Sequence, residues 1–348
     1  MADIATIAAD ELRRYSAALL DKAGFGEAEA REMADLLVWA NQRGVDSHGV
    51  LRIPRYVEML ETGLVRADFA FRDVSRTGAV CVLDAGKAPG ATAMNRAVGE
   101  AATLAARFGI GWCAVRDTSH AGAIGYFVQQ LAERGLVGLA MTASKPLMSY
   151  FGAKGEALST NPLAIGVPVP DGGRPVILDM SMAAVALGKI MAAKDAGRPI
   201  PIGWGVDAQG ADTTDPHAVA AVLPMAGAKG SGLSLMIEIL CSLLPGNPSI
   251  APALAGGDPG GFNGMVLAID PAAFGDRDGF LAQVGVLVDA IHRLEPVPGV
   301  SRVLLPGERG HETEEARGAG GIPVAAGTVK RLGELAARLG VSVPAAFQ

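Results

Sequence analysis

The stretch Asp46-Ser47-His48-Gly49-Val50-Leu51-Arg52-Ile53-Pro54-Arg55-Tyr56 brings a hydroxyl, an imidazole, two guanidiniums and a phenol together within eleven positions. In a helix, His48, Arg52 and Tyr56 would share one face, because a step of four residues passes a full turn by only about 40°. Asp46 or Ser47 would cap this helix, and Pro54 would lie in its first turn or kink it. Such a face could bind a carboxylate through Arg52 and exchange a proton through His48.

The composition around this stretch is that of a folded protein with a large core. The chain has 348 residues, of which 50% are hydrophobic and 19% charged, so two or three domains are expected. The formal net charge of −6 and the absence of a dense Lys/Arg run argue against nucleic acid as a partner. The aromatic fraction of 5% leaves few platforms for stacking bases.

The remaining composition favours a cytoplasmic protein without a metal centre. Cys81, Cys113 and Cys241 have no CxxC or metal-ligand spacing, so reduced core thiols are expected. The first residues show no secretory pattern, and no apolar run is long and uncharged enough for a membrane span. The five histidines show no HxH or HExxH spacing, and there is no GxSxG nucleophile motif.

Hydrophobic periodicity predicts a mixed α/β or α+β chain with helical ends. The helices are expected at 6–23, 27–43, 46–61, 91–107, 123–133, 183–196, 277–294 and 326–339, with a buried helix at 230–244. The strands are expected at 79–84, 110–115, 136–142, 161–169, 175–179 and 265–269. Residues 245–263 and 306–321 are rich in Gly and in Pro or charged residues, which predicts long loops.

The segment Gly109 to Ala114 superficially fits the GxGxxA dinucleotide fingerprint. That fingerprint requires a strand before it and a helix after it, whereas here a predicted helix precedes and a strand follows. A turn between helix and strand is therefore the better interpretation, and the chain has no Rossmann phosphate turn by this test.

Three other segments are candidates for ligand binding. Ser119 to Ala123 places His120 and small residues at a strand-to-helix junction, although a lone histidine there is more often structural. Gly227 to Gly232 surrounds Lys229 with glycines where a helix begins. This pattern is equally consistent with an anion-binding site and with a flexible helix start whose lysine is solvated. Asp179 to Ser181 and Gly307 to Arg309 follow predicted strands, where ligands commonly bind.

These pieces occur in the order found in one family. The set includes Asp46-Ser47-His48-Gly49, Ser119-His120, Ser159 to Ala164, Leu178-Asp179-Met180, Gly188-Lys189, Thr214-Asp215-Pro216, Lys229-Gly230 and Pro306-Gly307-Glu308. The chain resembles the malate/L-lactate dehydrogenase family of the second type, over about residues 5–340. This family also includes ureidoglycolate and sulfolactate dehydrogenases, diketogulonate reductase and cyclic imino acid reductases.

The resemblance implies a homodimer that uses NAD or NADP. It implies a non-Rossmann α/β (α+β) fold, whose cofactor domain has a mostly antiparallel mixed sheet beside helical N- and C-terminal domains. The expected divisions are 1–75, 76–305 and 306–348, with the last segment packing back on the first.

Site residues follow from the resemblance position by position. His48 would donate and accept the proton beside Ser47, Arg52 would bind the substrate carboxylate and Tyr56 would line its pocket. His120 is an alternative proton-transfer residue. The expected cofactor contacts are His120, Ala121, Gly122, Ala123, Ser144, Thr160, Asp179, Met180, Ser181, Lys229, Gly307, Glu308 and Arg309.

The implied reaction is hydride transfer between NAD(P)(H) and a small 2-hydroxy or 2-oxo carboxylic acid. One alternative is reduction of a cyclic imino acid such as piperideine-2-carboxylate or pyrroline-2-carboxylate, and another is a non-catalytic small-molecule-binding protein on the same fold. Lys145-Pro146, Met182-Ala183 and Ala226 to Ala228 depart from the usual family residues. The identity of the acid and the choice between NAD and NADP therefore stay open at this point.

Overall fold

The computed structural model describes residues 5–195, 197–258 and 260–348. The helices are α1 Ala9–Lys22, α2 Glu27–Gln42, α3 Ile53–Glu61, α4 Gly90–Phe108, α5 Gly125–Glu133, α6 Leu187–Asp195, α7 Ala228–Glu238, α8 Ala251–Leu254, α9 Arg277–His292, α10 Glu308–Gly320 and α11 Ala326–Leu339. The strands are β1 Ala5–Ile7, β2 Arg72–Thr77, β3 Val80–Asp84, β4 Ile110–Thr118, β5 Val137–Ala143, β6 Leu163–Val167, β7 Val176–Met180, β8 Gly205–Val206, β9 Ala221–Val222, β10 Phe262–Ile269 and β11 Ile322–Val324.

The central sheet contains seven strands in the order β2-β3-β4-β10-β5-β6-β7. Within it only β3 and β4 pair in parallel, and every other neighbouring pair is antiparallel. Alternate residues of β4 face opposite cores, because successive side chains of a strand point to opposite faces. Cys113 and Val115 contribute to the core that also contains α4 and α5, whereas Ala114 faces the core that contains Ile237 of α7. The predicted fold class is confirmed.

The two ends of the chain lie together. Strand β1 pairs antiparallel with β11, and the Tyr15 hydroxyl of α1 donates to the carbonyl oxygen of Leu332 in α11 at 3.1 Å. The residues of α1, α2, α3 and α11 share one core with α4 and α5. The division at residues 75 and 305 stays a prediction.

Two predictions near the N-terminus are wrong in detail. Residues 5–7 form β1 and not the start of the first helix. The single helix expected over 46–61 is interrupted: Asp46–His48 and Val50–Arg52 form two 3₁₀ turns, and the α-helix begins only at Ile53. Gly49 between the turns is extended, with φ −88° and ψ −156°, so His48 does not share a helical face with Arg52 and Tyr56. Pro54 lies in the first turn of α3, which is one of its two predicted placements, although the helix begins later than expected.

Two later predictions are also wrong. The loop expected over 306–321 is mostly helix α10. Its Glu, Arg and Ala residues are good helix formers, and Pro306-Gly307 marks the start of the helix. The helix expected over 230–244 becomes a π-helical segment at Ile239–Leu243, and it is not fully buried, because Met236 is 47% and Leu244 65% exposed.

The Gly109 interpretation is confirmed. Gly109 follows α4 with φ +81°, a conformation that glycine adopts at helix C-termini, and β4 begins at the next residue. Across the described ranges, no helix has both the length and the apolar character needed to cross a bilayer. Those same ranges contain no cluster of three or more His, Cys, Asp or Glu side chains arranged to hold a metal.

Candidate active site

The side chain of Asn41, at the end of α2, fixes the segment that carries His48 and Arg52. Its Oδ1 accepts a hydrogen bond from the Val50 amide at 2.9 Å, and its Nδ2 donates to Asp46 Oδ1 at 2.6 Å. A Cβ at Gly49 would overlap the Asn41 amide group, so only glycine allows this approach. The break that separates His48 from Arg52 is therefore built around one buried polar side chain.

The two predicted histidines meet face to face. The His48 and His120 rings stack with their centroids 5.5 Å apart and an interplanar angle of 23°. Ser47 Oγ lies 2.9 Å from His48 Nδ1, and Tyr56 Oη lies 2.8 Å from His120 Nδ1. Nε2 is therefore the ring nitrogen of His120 that remains for a ligand. The structure brings His48, Ser47, Tyr56 and His120 together, and their roles stay a prediction.

Both histidines are neutral near pH 7. Loss of hydration, together with the charge of Arg52, lowers the pKa of His48 to about 4. The same loss of hydration, with the charges of His48 and Arg52, lowers the pKa of His120 to about 3. Burial raises the pKa of Tyr56, so its hydroxyl keeps its proton.

Arg52 approaches the histidines from the turn before α3. Its Nε donates to the Ser47 carbonyl oxygen at 2.8 Å, which fixes the guanidinium plane. Among residues 5–195, 197–258 and 260–348, no acceptor is bonded to its two terminal nitrogens. These two donors are the pair that binds a carboxylate in a bidentate way.

Arg52, Tyr56 and His120 line one cavity of about 700 Å³. The charged residues on its wall are four cations and two carboxylates: Arg52, Arg55, Lys87, Lys145, Asp117 and Asp258. Arg55 is paired with Glu58 at 2.7 Å, and Lys87 Nζ donates to the Gly63 carbonyl oxygen at 3.2 Å. The cavity is thus cationic although the chain carries a net charge of −6, which favours an anionic ligand.

The backbone after His120 offers unpaired amides. Within the described chain, the N–H groups of Ala121, Gly122 and Ala123 have no acceptor. By contrast, the amide of Gly125 at the start of α5 donates to Asp179 Oδ2 at 2.8 Å. A Cβ at Gly125 would lie 2.9 Å from that oxygen. Asp179 keeps solvent access, yet incomplete hydration raises the pKa of its carboxyl to about 6.

Most of the predicted cofactor residues follow the same edge of the sheet. Ser144 Oγ lies 2.7 Å from Ser159 Oγ, and Ser181 Oγ donates to the Thr160 carbonyl oxygen at 3.4 Å. Met180 ends β7. Lys229 lies in the first turn of α7 and is exposed, and the cap residue Gly227 provides no side chain to that helix N-terminus.

Gly307 to Arg309 lie against the other side of β7. Gly307 has φ +92°, and a Cβ there would lie 3.0 Å from the Ile177 carbonyl oxygen. The Glu308 carboxylate is already engaged, because it binds His292 Nε2 at 2.6 Å and the Leu305 amide at 2.9 Å. Arg309 is exposed. The backbone of this segment is engaged too, because the Glu308 amide donates to the Leu305 carbonyl oxygen and the Gly307 carbonyl oxygen accepts from Arg43.

Sequence reasoning missed Asn41 and Arg317, which hold the segment that carries His48. Arg317 donates to both carboxylate oxygens of Asp46, at 2.7 and 3.0 Å. An amide within the apolar run of α2 was a usable signal for Asn41. Arg317 lies 271 positions from its partner, and nothing local marks it.

The depressed histidine pKa values predict acid sensitivity. Unfolded histidines bind protons below about pH 6.5, whereas the folded ones stay neutral to about pH 4, so stability falls as the pH is lowered between these values. The expected slope is up to about 1.4 kcal/mol per pH unit for each histidine. The free energy of unfolding, measured by urea denaturation from pH 7 to 4, should fall with this slope in the wild type. In His120→Gln the slope should be shallower. The exposed His217→Gln variant is the control, and equal slopes for all three proteins would contradict the burial argument.

Comparison with known proteins places this geometry in a family context. Residues 7–333 match the model of the malate/L-lactate dehydrogenase family. The (2R)-3-sulfolactate dehydrogenase (NADP(+)) of Chromohalobacter salexigens is 36% identical over 312 residues, covering 87% of this chain and 92% of that protein. The ureidoglycolate dehydrogenase (NAD(+)) of Escherichia coli O157:H7 is 34% identical, covering 83% and 84%.

Solved structures show the same architecture along nearly the whole chain. Malate dehydrogenase from Pyrococcus horikoshii OT3 superposes with a TM-score of 0.89 at 29% identity and covers 99% of both chains. The delta1-piperideine-2-carboxylate reductase from Pseudomonas syringae has a TM-score of 0.83 at 29% identity and covers 95% of this chain and 99% of its own.

Proposed function

Since the chain belongs to the malate/L-lactate dehydrogenase family and is therefore an oxidoreductase, we propose that it transfers a hydride between NAD(P)(H) and a small 2-hydroxy or 2-oxo acid bound by Arg52. The family resemblance, the enzyme class and the use of NAD or NADP, all predicted from the sequence, are confirmed. The observation that carries the residue roles is the free pair of Arg52 nitrogens on the same cavity wall as His120.

The residues present fit a nicotinamide dinucleotide. Unpaired amides at Ala121 to Ala123 can bind a carboxamide or phosphate oxygen, and the α7 N-terminus with Lys229 suits a pyrophosphate. Ser144, Thr160 and Ser181 are further candidates for polar cofactor contacts. When bound, the cofactor supplies or accepts the hydride. NADH binding measured by fluorescence titration should weaken in Lys229→Ala, and an unchanged Kd would remove Lys229 from this role.

The chain's own residues hold the acid and move the proton. Arg52 binds the carboxylate, which places the reacting carbon beside the histidine pair and removes part of the entropic barrier. His120 takes the hydroxyl proton at Nε2 during oxidation while its Nδ1–H donates to Tyr56 Oη, and it returns the proton during reduction. An anionic substrate compensates the charge of Arg52, and this raises the pKa of both histidines toward the range where they exchange protons.

Lys145 suggests which acids are preferred. It lies on the wall of the same cavity and, within the described chain, has no acidic partner, unlike Arg55. A second anionic group, as in malate or sulfolactate, would complement it. A panel of 2-oxo acids followed at the NAD(P)H absorbance should show higher kcat/KM for dianions than for pyruvate. Lys145→Gln should lose about tenfold on dianions only, the effect of one charge-assisted contact. The proposed function fails if no acid is reduced.

A cyclic imino acid is the second candidate substrate, favoured by the similarity to the Pseudomonas reductase. Its ring would use the same carboxylate anchor, and Met59, Leu64 and Phe262 give the cavity an apolar wall. Including piperideine-2-carboxylate in the panel decides between the 2-oxo acid and the imino acid. If the imino acid is the substrate, C=N compounds should be turned over faster than any 2-oxo acid.

We propose that the enzyme is a homodimer in the cytoplasm. The surface after the middle of α7 exposes four large apolar side chains, Leu233, Met236, Leu243 and Leu244, of the kind that a second copy covers. Light scattering should give twice the 35.5 kDa of one chain, and a single-chain mass contradicts the dimer.

All three cysteines are free and buried, which suits a reducing compartment. Recovery of the protein mainly in the envelope fraction of its host would contradict the location.

A further inference from the structure

An ion pair joins the C-terminal half of α10 to the residue just before Ser47-His48. Arg317 donates one hydrogen bond to each carboxylate oxygen of Asp46, at 2.7 and 3.0 Å, and its Nη1 also donates to the Asn41 carbonyl oxygen. Asp46 Oδ1 in turn accepts from Asn41 Nδ2 at 2.6 Å. The start of the catalytic segment is thus fixed from two directions, by α2 and by α10.

The same helix is attached to the end of α2 at a second point. The buried Arg43 donates to the Gly307 carbonyl oxygen at 3.0 Å and to Glu314 Oε2 at 3.2 Å, and its Nη1 lies 2.8 Å from His311 Nδ1. Residues 41–46 are therefore bonded to α10 at its beginning and near its end. Because a helix is stiff over this length, α10 fixes where the 3₁₀ turn with His48 lies relative to Gly307.

Stability alone is a poor explanation for the Arg317–Asp46 pair. The side chain of Asp46 is 46% exposed, and half-exposed ion pairs add little to folding. A bidentate pair does, however, restrict orientation strongly, since two parallel hydrogen bonds define one plane. The carboxylate that it restricts belongs to the residue two positions before His48 and is bonded to Asn41, the side chain that shapes the Gly49 break.

We propose that Arg317 is a positioning residue: it holds Asp46 so that His48 stays stacked on His120 beside the cavity. This inference rests on the proposed function for its kinetic consequence. Arg317→Ala is expected to lower kcat by roughly 10- to 100-fold, the size of effect that follows a displacement of about 1 Å at a catalytic group. The Kd for NADH should change by less than about threefold, because a residue that positions His48 does not itself contact the cofactor.

A double-mutant cycle with a matched control tests the pair. Asp46→Ala and Arg317→Ala should each lower kcat, and the double variant should lose no more than the worse single one, because both remove the same contact. Arg317→Lys should restore part of the rate, since lysine reaches one carboxylate oxygen only. Arg338→Ala breaks the 2.9 Å pair with Glu61, which also joins a C-terminal helix to the N-terminal part, and should keep the wild-type kcat.

Two readouts separate positioning from general destabilisation. The deuterium isotope effect on kcat with NADH labelled at C4 should rise in Arg317→Ala, because a displaced His48 no longer supports the stacked ring of His120, the proton-transfer group, and the chemical step slows. The ring resonances of His48, assigned with His48→Gln, should shift in Arg317→Ala and not in Arg338→Ala. The proposal is overturned if the His48 resonances stay unmoved, or if kcat stays within about twofold of the wild type. If the wild type reduces no 2-oxo or imino acid, the proposed function fails while the resonance comparison still decides the placement.

Discussion

Replacing His120 by alanine is expected to lower kcat by about 10²- to 10⁴-fold, the usual contribution of a positioned acid–base group. His120 lines the substrate cavity, and Tyr56 occupies its Nδ1, so Nε2 is left to face the reacting oxygen. NADH binding, followed by fluorescence, should change little, which separates proton transfer from cofactor binding.

His48→Ala is the matched comparison, because the two rings stack on one another and only His120 lines the cavity. Sequence reasoning alone predicts a severe loss for the His48 variant. The geometry predicts that its kcat falls less than that of His120→Ala. A near-normal kcat in His120→Ala together with a large loss in His48→Ala would exchange the two roles.

The pH dependence should differ between the two directions of the reaction. Oxidation requires a neutral histidine, and with a pKa of about 3 the free enzyme holds His120 neutral above pH 5. kcat/KM for the hydroxy acid should therefore be flat from about pH 5 to 8. Reduction requires the protonated ring, whose fraction falls tenfold per pH unit above its pKa, so kcat/KM for the oxo acid should fall as the pH rises. A fall in both profiles above pH 6 would contradict the assignment.

The sequence was most informative where chemistry and order along the chain carry the signal. The family resemblance identified His48 and His120 as alternative proton-transfer residues, and the failed fingerprint at Gly109 followed from the order of helix and strand. The pattern of strands and helices predicted the α/β or α+β class, and the resemblance implied the mostly antiparallel mixed sheet. Each of these inferences depends on residue types at short range, which a sequence displays directly.

Long-range contacts contribute to both failures, although the Glu, Arg and Ala residues of 306–321 also favour a helix locally. Residues 46–56 have the spacing of a helix, but the Asn41 amide and Arg317 hold the chain in two 3₁₀ turns. Residues 306–321 resemble a loop because of their glycines, yet the contacts of Arg43 with Gly307 and Glu314 support a helix there. Arg317 and Arg43 lie 264 or more positions from these partners, so no local window contains their contacts, whereas Asn41 is only five positions from Asp46.

Replacing Arg52 by lysine is expected to raise KM for the acid by roughly 10- to 100-fold, which corresponds to losing one charge-assisted hydrogen bond of about 1.5–3 kcal/mol. Lysine keeps the positive charge but cannot form the planar, two-point contact with a carboxylate. The Nε contact of Arg52 with the Ser47 carbonyl oxygen, which fixes the guanidinium plane, is lost as well. kcat at saturation should fall less than kcat/KM, since the anchor acts on bound substrate and transition state alike.

Arg55→Lys provides the control for this change, because Arg55 lies one residue before Tyr56 on α3 and lines the same cavity while its guanidinium is paired with Glu58. The control should leave KM within about twofold of the wild type, as expected for an exposed, already paired arginine. The same charge and the same substitution type are thus compared at two positions one helical turn apart. An unchanged KM in Arg52→Lys, or equal increases in both variants, would show that the cavity attracts the acid by its overall charge and that Arg52 is not its specific anchor.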